Sequence, residues 1–224
     1  MNEGFFVTGT DTGCGKTEIT LGLMRALQQR GERVQGMKPV ASGAQPTAQG
    51  LRNEDALRIQ AQGSSELPYD WINPYAYAPP IAPHLAARRA NRPIEPAMIL
   101  DAYTRIAGHA DRVVVEGVGG WQVPLNGAFT VADLALRLQL PVILVVGLRL
   151  GCISHALLTV ASIRQSGARL LGWVANQVEP GMAELKGNLE TLHDRLQAPC
   201  LGEIPWFEDE MRGGIWKRLE IGAL

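Results

Sequence analysis

Lys16 and Thr17 stand where a glycine-rich turn runs into helical spacing, and their types suit the binding of a polyphosphate and its metal ion. In the turn Gly9-Thr10-Asp11-Thr12-Gly13-Cys14-Gly15, the glycines let backbone N–H groups curl around an anion where a side chain would clash. Lys16 can reach the β- and γ-phosphates, and the Thr17 hydroxyl can hold Mg2+. The spacing is irregular: five residues separate Gly9 from Gly15 where the usual pattern has four, and Thr10 takes a glycine's place. An ordinary glycine-rich turn with a solvated lysine is the alternative. An apolar run, Phe5-Phe6-Val7, precedes the loop, and Ile19, Leu23 and Leu27 follow at four-residue spacing. That strand, loop and helix sequence favours a nucleotide triphosphate site.

Three further stretches carry chemistry. In RVVVEGVGG, residues 112–120, three valines mark a strand buried on both faces, and Glu116 closes it before Gly117, Gly119 and Gly120. Enzymes with such phosphate loops place a Mg2+-binding acid there, usually an aspartate. Glu116 as a solvated strand end is the other reading. Lys38 and Ser42 follow a short strand at 34–37, and Asp55 lies near the start of a helix at 52–62. Gly151-Cys152-Ile153-Ser154 opens a helix whose free N–H groups form a second anion trap, with His155 there a packed or capping residue. Asn176 ends a strand, where it either reads a nucleobase or tolerates a turn. Lys16, Thr17, Lys38, Ser42, Asp55 and Glu116 thus assemble two cations and two carboxylates around a phosphate loop, the kit for phosphoryl transfer. The acceptor stays open on these residues alone.

The elements that must position them alternate in type. Strand patterns at 4–8, 34–37, 112–116, 141–147, 170–175 and 200–204, with helices between them, imply a single α/β domain over residues 1–224. Its sheet is mainly parallel with helices on both faces, and ligands bind at the carboxyl edge of such a sheet. Helices are expected at 52–62, 83–90, 95–108, 129–138, 152–167 and 182–197, with a loop over 44–50 and a terminal surface helix reaching Leu224. The Pro-rich stretch 67–83 cannot be regular helix. It is either an ordered excursion over the ligand edge or a surface loop held by its own aromatics.

A formal net charge of −1 gives no electrostatic footprint for nucleic acid or anionic lipid. Three cysteines without a CxxC pair suggest neither a disulfide framework nor a zinc site, and Cys14 reads as a small filler. With no signal-like start and no apolar run long enough to span a bilayer, the expectation is a soluble, cytoplasmic protein.

The strings FVTGTDTGCGKT, MKPVASG, GLRNEDAL, NPYAYAPPIAPH, VVVEGVGGW, LPVILVVGLRLGCISHALLT, GWVANQV and LGEIPW, in order between residue 6 and residue 206, resemble the dethiobiotin synthetases. The resemblance implies a P-loop NTPase-like fold and an ATP-dependent ring closure in biotin synthesis. In it, 7,8-diaminopelargonate and CO2 form a carbamate, ATP phosphorylates it, and the second amine closes the ureido ring, releasing ADP and phosphate. It implies Lys38 and Lys16 as catalytic and Thr17, Asp55 and Glu116 as Mg2+ ligands. Nucleotide contacts then fall to Thr12, Gly13, Cys14, Gly15, Lys16, Thr17, Glu18, Asp55, Glu116, Gly117, Gly119, Asn176, Gln177, Pro205, Trp206 and Phe207. Substrate contacts fall to Thr12, Ser42 and, from a neighbouring subunit of a homodimer, Gly151, Cys152, Ile153 and Ser154. Lys38→Ala is expected to abolish turnover with the fold intact. The chain departs from the family at Gly13, often a glutamate, at Ser154, often an asparagine, and near Asn188, where a tyrosine touches the substrate. Altered affinity follows from these departures, with the reaction unchanged.

Two other classes use similar loops. A ParA/MinD-like partitioning ATPase wants a lysine early in the loop, where Asp11 stands, and a membrane or DNA surface. An amidotransferase-linked synthetase wants a glutaminase domain with its nucleophilic cysteine.

Overall fold

The computed structural model describes residues 3–207 and 209–223; Met1, Asn2, Glu208 and Leu224 lie outside the described residues, so the ends of the expected 1–224 domain do too. The chain opens with β1 (Glu3–Gly9), α1 (Lys16–Gln29), β2 (Val34–Met37) and β3 (Val40–Ser42). Then come β4 (Gln45–Thr47), β5 (Gly50–Arg52), α2 (Glu54–Gln62), α3 (Tyr69–Ile72), β6 (Tyr75–Tyr77), α4 (Pro83–Arg89) and α5 (Pro96–Ala107). The second half runs β7 (Arg112–Glu116), α6 (Val131–Leu138), β8 (Val142–Leu148), α7 (Cys152–Gln165), β9 (Leu170–Gln177), α8 (Leu185–Leu196) and β10 (Cys200–Ile204).

Six strands form the main sheet in the order β10-β9-β8-β1-β7-β2. All five pairings are parallel. Every residue of β8 is buried, as are Val113 to Glu116 of β7, which requires cover on both faces of the sheet. Each valine or isoleucine removed from water there contributes about 1.5–3 kcal/mol. The chain leaves β1 for β2 on one side and later returns past β1 to β8, so the topology reverses at β1. A crevice opens at the strand carboxyl ends at such a point.

The six expected strands occur, as do the expected helices other than the terminal one, with boundaries moved by a few residues. α2 begins at Glu54 because Asn53 caps it, its Oδ1 accepting from the Ala56 amide at 3.2 Å. α6 begins at Val131 behind a capping box, in which Asp133 accepts from the Thr130 amide at 2.8 Å.

Three expectations change. The expected 44–50 loop instead holds β4 and the turn of an antiparallel hairpin that β4 makes with β5. The Pro-rich stretch holds α3 and a strand, β6, which pairs in parallel with β3 as a second small sheet. The terminal segment is not a surface α-helix: it forms 3-10 turns at Asp209–Arg218 and Ile221–Ala223, with Ile215, Leu219 and Ile221 buried. Gly213 and Gly214 weaken α-helix there. On α1, a Cβ at Gly22 would come within 2.8 Å of Ile215, so a small residue at that position lets the tail dock.

Candidate active site

The loop between β1 and α1 is tight for identifiable reasons. A Cβ at Gly9 would lie 2.3 Å from Cys14 Sγ, and one at Gly15 would lie 2.0 Å from Asn176 Nδ2. Gly13 at φ 79° and Gly15 at φ 88° take left-handed backbone that only glycine adopts without strain. Gly15 caps α1 with no side-chain acceptor, which leaves the first-turn N–H groups directed at the loop. Lys16 Nζ folds over the loop and donates to the Asp11 carbonyl at 2.7 Å. Cys14 is fully buried beneath it, the filler role expected. Asn176 Nδ2 donates to the Cys14 carbonyl at 2.9 Å, tying the loop to the end of β9. This nitrogen is therefore engaged with the loop, a use of Asn176 that neither reading of its sequence position anticipated.

Beside the loop, Lys38 leaves the end of β2 almost wholly buried, and its ammonium donates to Asp55 Oδ2 at 2.8 Å and to Glu116 Oε1 at 2.5 Å. The Thr17 hydroxyl donates to the same Glu116 oxygen at 2.9 Å. Burial opposes the charge on Lys38, but the two carboxylates outweigh it and hold its pKa above the ordinary lysine value. Burial likewise opposes the Asp55 carboxylate, yet Lys38 and hydrogen bonds from Lys38 and Thr17 hold it below the usual carboxylate range. Glu116 is inaccessible to solvent, and its Oε2 has no hydrogen-bond partner among the described residues. That orphaned oxygen, with the Thr17 hydroxyl and the Asp55 carboxylate, is a hard-oxygen donor set of the kind Mg2+ takes.

These groups line a cleft of about 780 Å³ with Thr12, Ser42 and Gly119. The buried Ser42 hydroxyl has no partner among the described residues. Pro80 to Pro83 form another wall, while Tyr69, Tyr75 and Tyr77 of the same Pro-rich stretch are buried inward. The two readings of that stretch therefore both hold, for different residues. A second pocket, lined by Asn176, Gln177, Pro205, Trp206 and Phe207, shares Gly13, Gly15 and Glu18 with the cleft. Gln177 Oε1 accepts from the Trp206 amide at 3.2 Å and holds that rim.

Some expected site residues lie elsewhere. Gly117 is packed toward Phe6 and Val131 and does not line the cleft. Gly151 to Ser154 do not line it within this chain either, and the Cys152 thiol faces Asn188 Oδ1 at 3.9 Å. The helix start they form sits beside Asp11, which Arg149 bridges. His155 is exposed and neither packed nor capping, with Nδ1 3.8 Å from Asp11. Sequence reasoning missed Arg58, whose guanidinium forks onto Glu18 at 2.7 and 2.9 Å and ties α2 to α1. Its place one turn beyond Asp55 was the available signal.

A family described as an AAA domain matches residues 3–212. The ATP-dependent dethiobiotin synthetase BioD of Pseudomonas aeruginosa (strain UCBPP-PA14) is 51% identical over 98% of this chain and 97% of its own length. That of Xanthomonas oryzae pv. oryzae (strain PXO99A) is 50% identical over 92% of each chain. The chain belongs to the dethiobiotin synthetase family. In fold, this synthetase resembles a ParA family ATPase from Chlorobium tepidum TLS at TM-score 0.59 and 16% identity, covering 98% of this chain and 91% of that one. It also resembles the septum site-determining protein MinD from Pyrococcus horikoshii OT3, solved with Mg-ADP, at TM-score 0.56 and 16% identity, covering 100% and 89%. At those identities the likeness is one of P-loop NTPase architecture alone. No helix among the described residues of this synthetase is long and apolar enough to cross a membrane.

Proposed function

We propose that this chain carries out the dethiobiotin synthetase reaction as one domain, using ATP, CO2 and 7,8-diaminopelargonate. One juxtaposition supports the reading: a buried lysine just after β2, Lys38, and the carboxylates Asp55 and Glu116 face the phosphate loop across one cleft. The base occupies the pocket of Asn176, Gln177 and Pro205 to Phe207, and the polyphosphate follows the shared wall of Gly13 and Gly15 to Lys16. Thr17, Asp55 and Glu116 hold Mg2+, which when bound offsets charge on the phosphates.

One amine of the diamine adds to CO2, giving a carbamate and releasing a proton. Lys38 and Lys16 steady the negative charge as a carbamate oxygen attacks the γ-phosphorus and ADP leaves. The second amine attacks the carbamoyl carbon, expels phosphate and closes the ring. Because both amines belong to one molecule held against Thr12 and Ser42, closure is intramolecular. The reading includes a cytoplasmic homodimer, in which Gly151 to Ser154 of a neighbouring subunit receive the substrate carboxylate.

The test is ATP turnover with and without diamine and bicarbonate, with labelled bicarbonate followed into a urea-type product. Dependence on both substrates, with label in the ring, is expected. ADP released equally fast without the diamine overturns the reading.

A further inference from the structure

A buried run of hydrogen bonds joins the strand end that carries Lys38 to the helix start that carries Asp55. The Asn73 Nδ2 group donates to the Lys38 carbonyl at 2.6 Å, while Asn73 Oδ1 accepts from the Tyr69 hydroxyl at 2.9 Å. That hydroxyl accepts from the Asn53 amide at 2.8 Å. Asn53 in turn caps α2 through Oδ1 and donates from Nδ2 to the Ser42 carbonyl at 3.4 Å. On its other side, the Lys38 amide donates to the Ile72 carbonyl at 2.9 Å. Tyr69 and Asn73 lie one turn apart across α3, so this four-residue helix in the Pro-rich stretch grips Lys38 from both sides of its peptide.

The residue types are informative. Tyr69, Asn73 and Asn53 are all buried, and burying hydroxyl and amide groups costs stability unless each finds its partner. Apolar residues of the same size would fill this space without that cost. A fully satisfied polar run fixes geometry instead, because each donor accepts only a narrow set of positions for its neighbour. The Arg52 guanidinium stacks 4.1 Å from the centre of the Tyr69 ring and further restrains the phenol.

We propose that Tyr69, with Asn73 and Asn53, is a positioning residue that sets Lys38, Asp55 and Ser42 in register for the transfer step. This rests on the role given above to Lys38 and Asp55. Asn53 reaches the cleft wall, whereas Tyr69 and Asn73 line neither the cleft nor the base pocket and act only through the groups they hold.

The test compares Tyr69→Phe with Tyr77→Phe. Each variant removes one phenol hydroxyl from the same stretch; that of Tyr77 donates to the Arg92 carbonyl at 2.7 Å, away from Lys38. Tyr69→Phe is expected to lower kcat about tenfold or more with KM for ATP within twofold, since small displacements of a catalytic group cost that much. Tyr77→Phe is expected to lower Tm comparably while kcat stays within twofold. Equal losses of kcat in both variants, or an unchanged kcat in Tyr69→Phe, overturn the proposal.

A second arm does not depend on the reaction: crystal structures of the wild type and Tyr69→Phe are compared at the Lys38 Nζ to Asp55 Oδ2 contact, 2.8 Å here. Separation beyond about 4 Å in the variant is expected; an unmoved contact sinks the idea. If the wild type shows no bicarbonate-dependent turnover, the functional reading fails and this arm still decides the positioning claim. Should Tyr69→Phe not fold, Asn73→Asp, which keeps the acceptor for Tyr69 but loses the donor to Lys38, is read by the same measurements.

Discussion

Lys38 Nζ and Glu116 Oε1 lie 2.5 Å apart at the heart of the cleft, the carboxylate wholly out of water. A carboxylate so placed depends on its ammonium partner for stability as well as for chemistry.

Removing Lys38 is therefore expected to cost stability as well as turnover. Lys38→Met leaves the buried Glu116 carboxyl group with only the Thr17 hydroxyl as donor. A loss of about 3–5 kcal/mol in urea unfolding is expected. The double variant Lys38→Met/Glu116→Gln, in which neither charge remains, should be more stable than Lys38→Met alone. A double variant no more stable than the single would show that the pair is not coupled.

The same cluster fixes the pH range of stability. The Lys38 pKa is raised in the folded state, so its contribution is complete below the ordinary lysine value of about 10.4 and is lost as pH rises through the folded value. That of Asp55 is lowered, so its contribution is complete above about 3.9 and is lost as pH falls through the folded value. Burial also pushes Tyr77 up to about 12, which adds to the alkaline loss above about pH 10. Unfolding free energy measured by urea titration should show no pH dependence from these three groups between about pH 5 and 9, where their contributions are fully present. Disappearance of the alkaline limb in Lys38→Met/Tyr77→Phe would tie it to the two residues.

Two loop glycines should respond differently to a side chain. Gly15→Ala forces a Cβ to within 2.0 Å of Asn176 Nδ2 and should lower ATP affinity at least 100-fold by calorimetry, roughly 2.7 kcal/mol. At Gly13 nothing lies within 4 Å of an added Cβ, so Gly13→Glu meets only the left-handed backbone strain of about 1–2 kcal/mol. It should fold, bind Mg·ATP and shift substrate affinity, as the departure from the family at this position implies.

Asn176→Ala removes the tie between β9 and the Cys14 carbonyl. A buried hydrogen bond of this kind is worth about 1 kcal/mol, so KM for ATP should rise roughly five- to tenfold with kcat little changed. A fall in kcat alone would mean that the loop is held by other means.

Much of this was legible in the chain because it is local. A run of valines closed by Glu116, or glycines ahead of Lys16-Thr17, carries its own backbone preference, so six strands and most helices follow from spacing and composition. Parallel pairing then places every strand's carboxyl end on one edge, which is why site residues scattered from Lys16 to Phe207 could be expected to meet. The misses are of another kind. β3 and β6 are three residues each and exist only because they pair with one another. The terminal segment, polar and rich in glycine, turns inward because α1 offers Gly22 to Ile215.

The sequence alone settled the phosphate loop, the class of fold and, through its motifs, the family. It did not decide the strand order, the bonding of Asn176 Nδ2 to the loop, or the gripping of Lys38 by Tyr69 and Asn73. Those depend on groups distant along the chain and adjacent in space, where the requirement that each buried polar atom find a partner selects one arrangement among many that local preference allows.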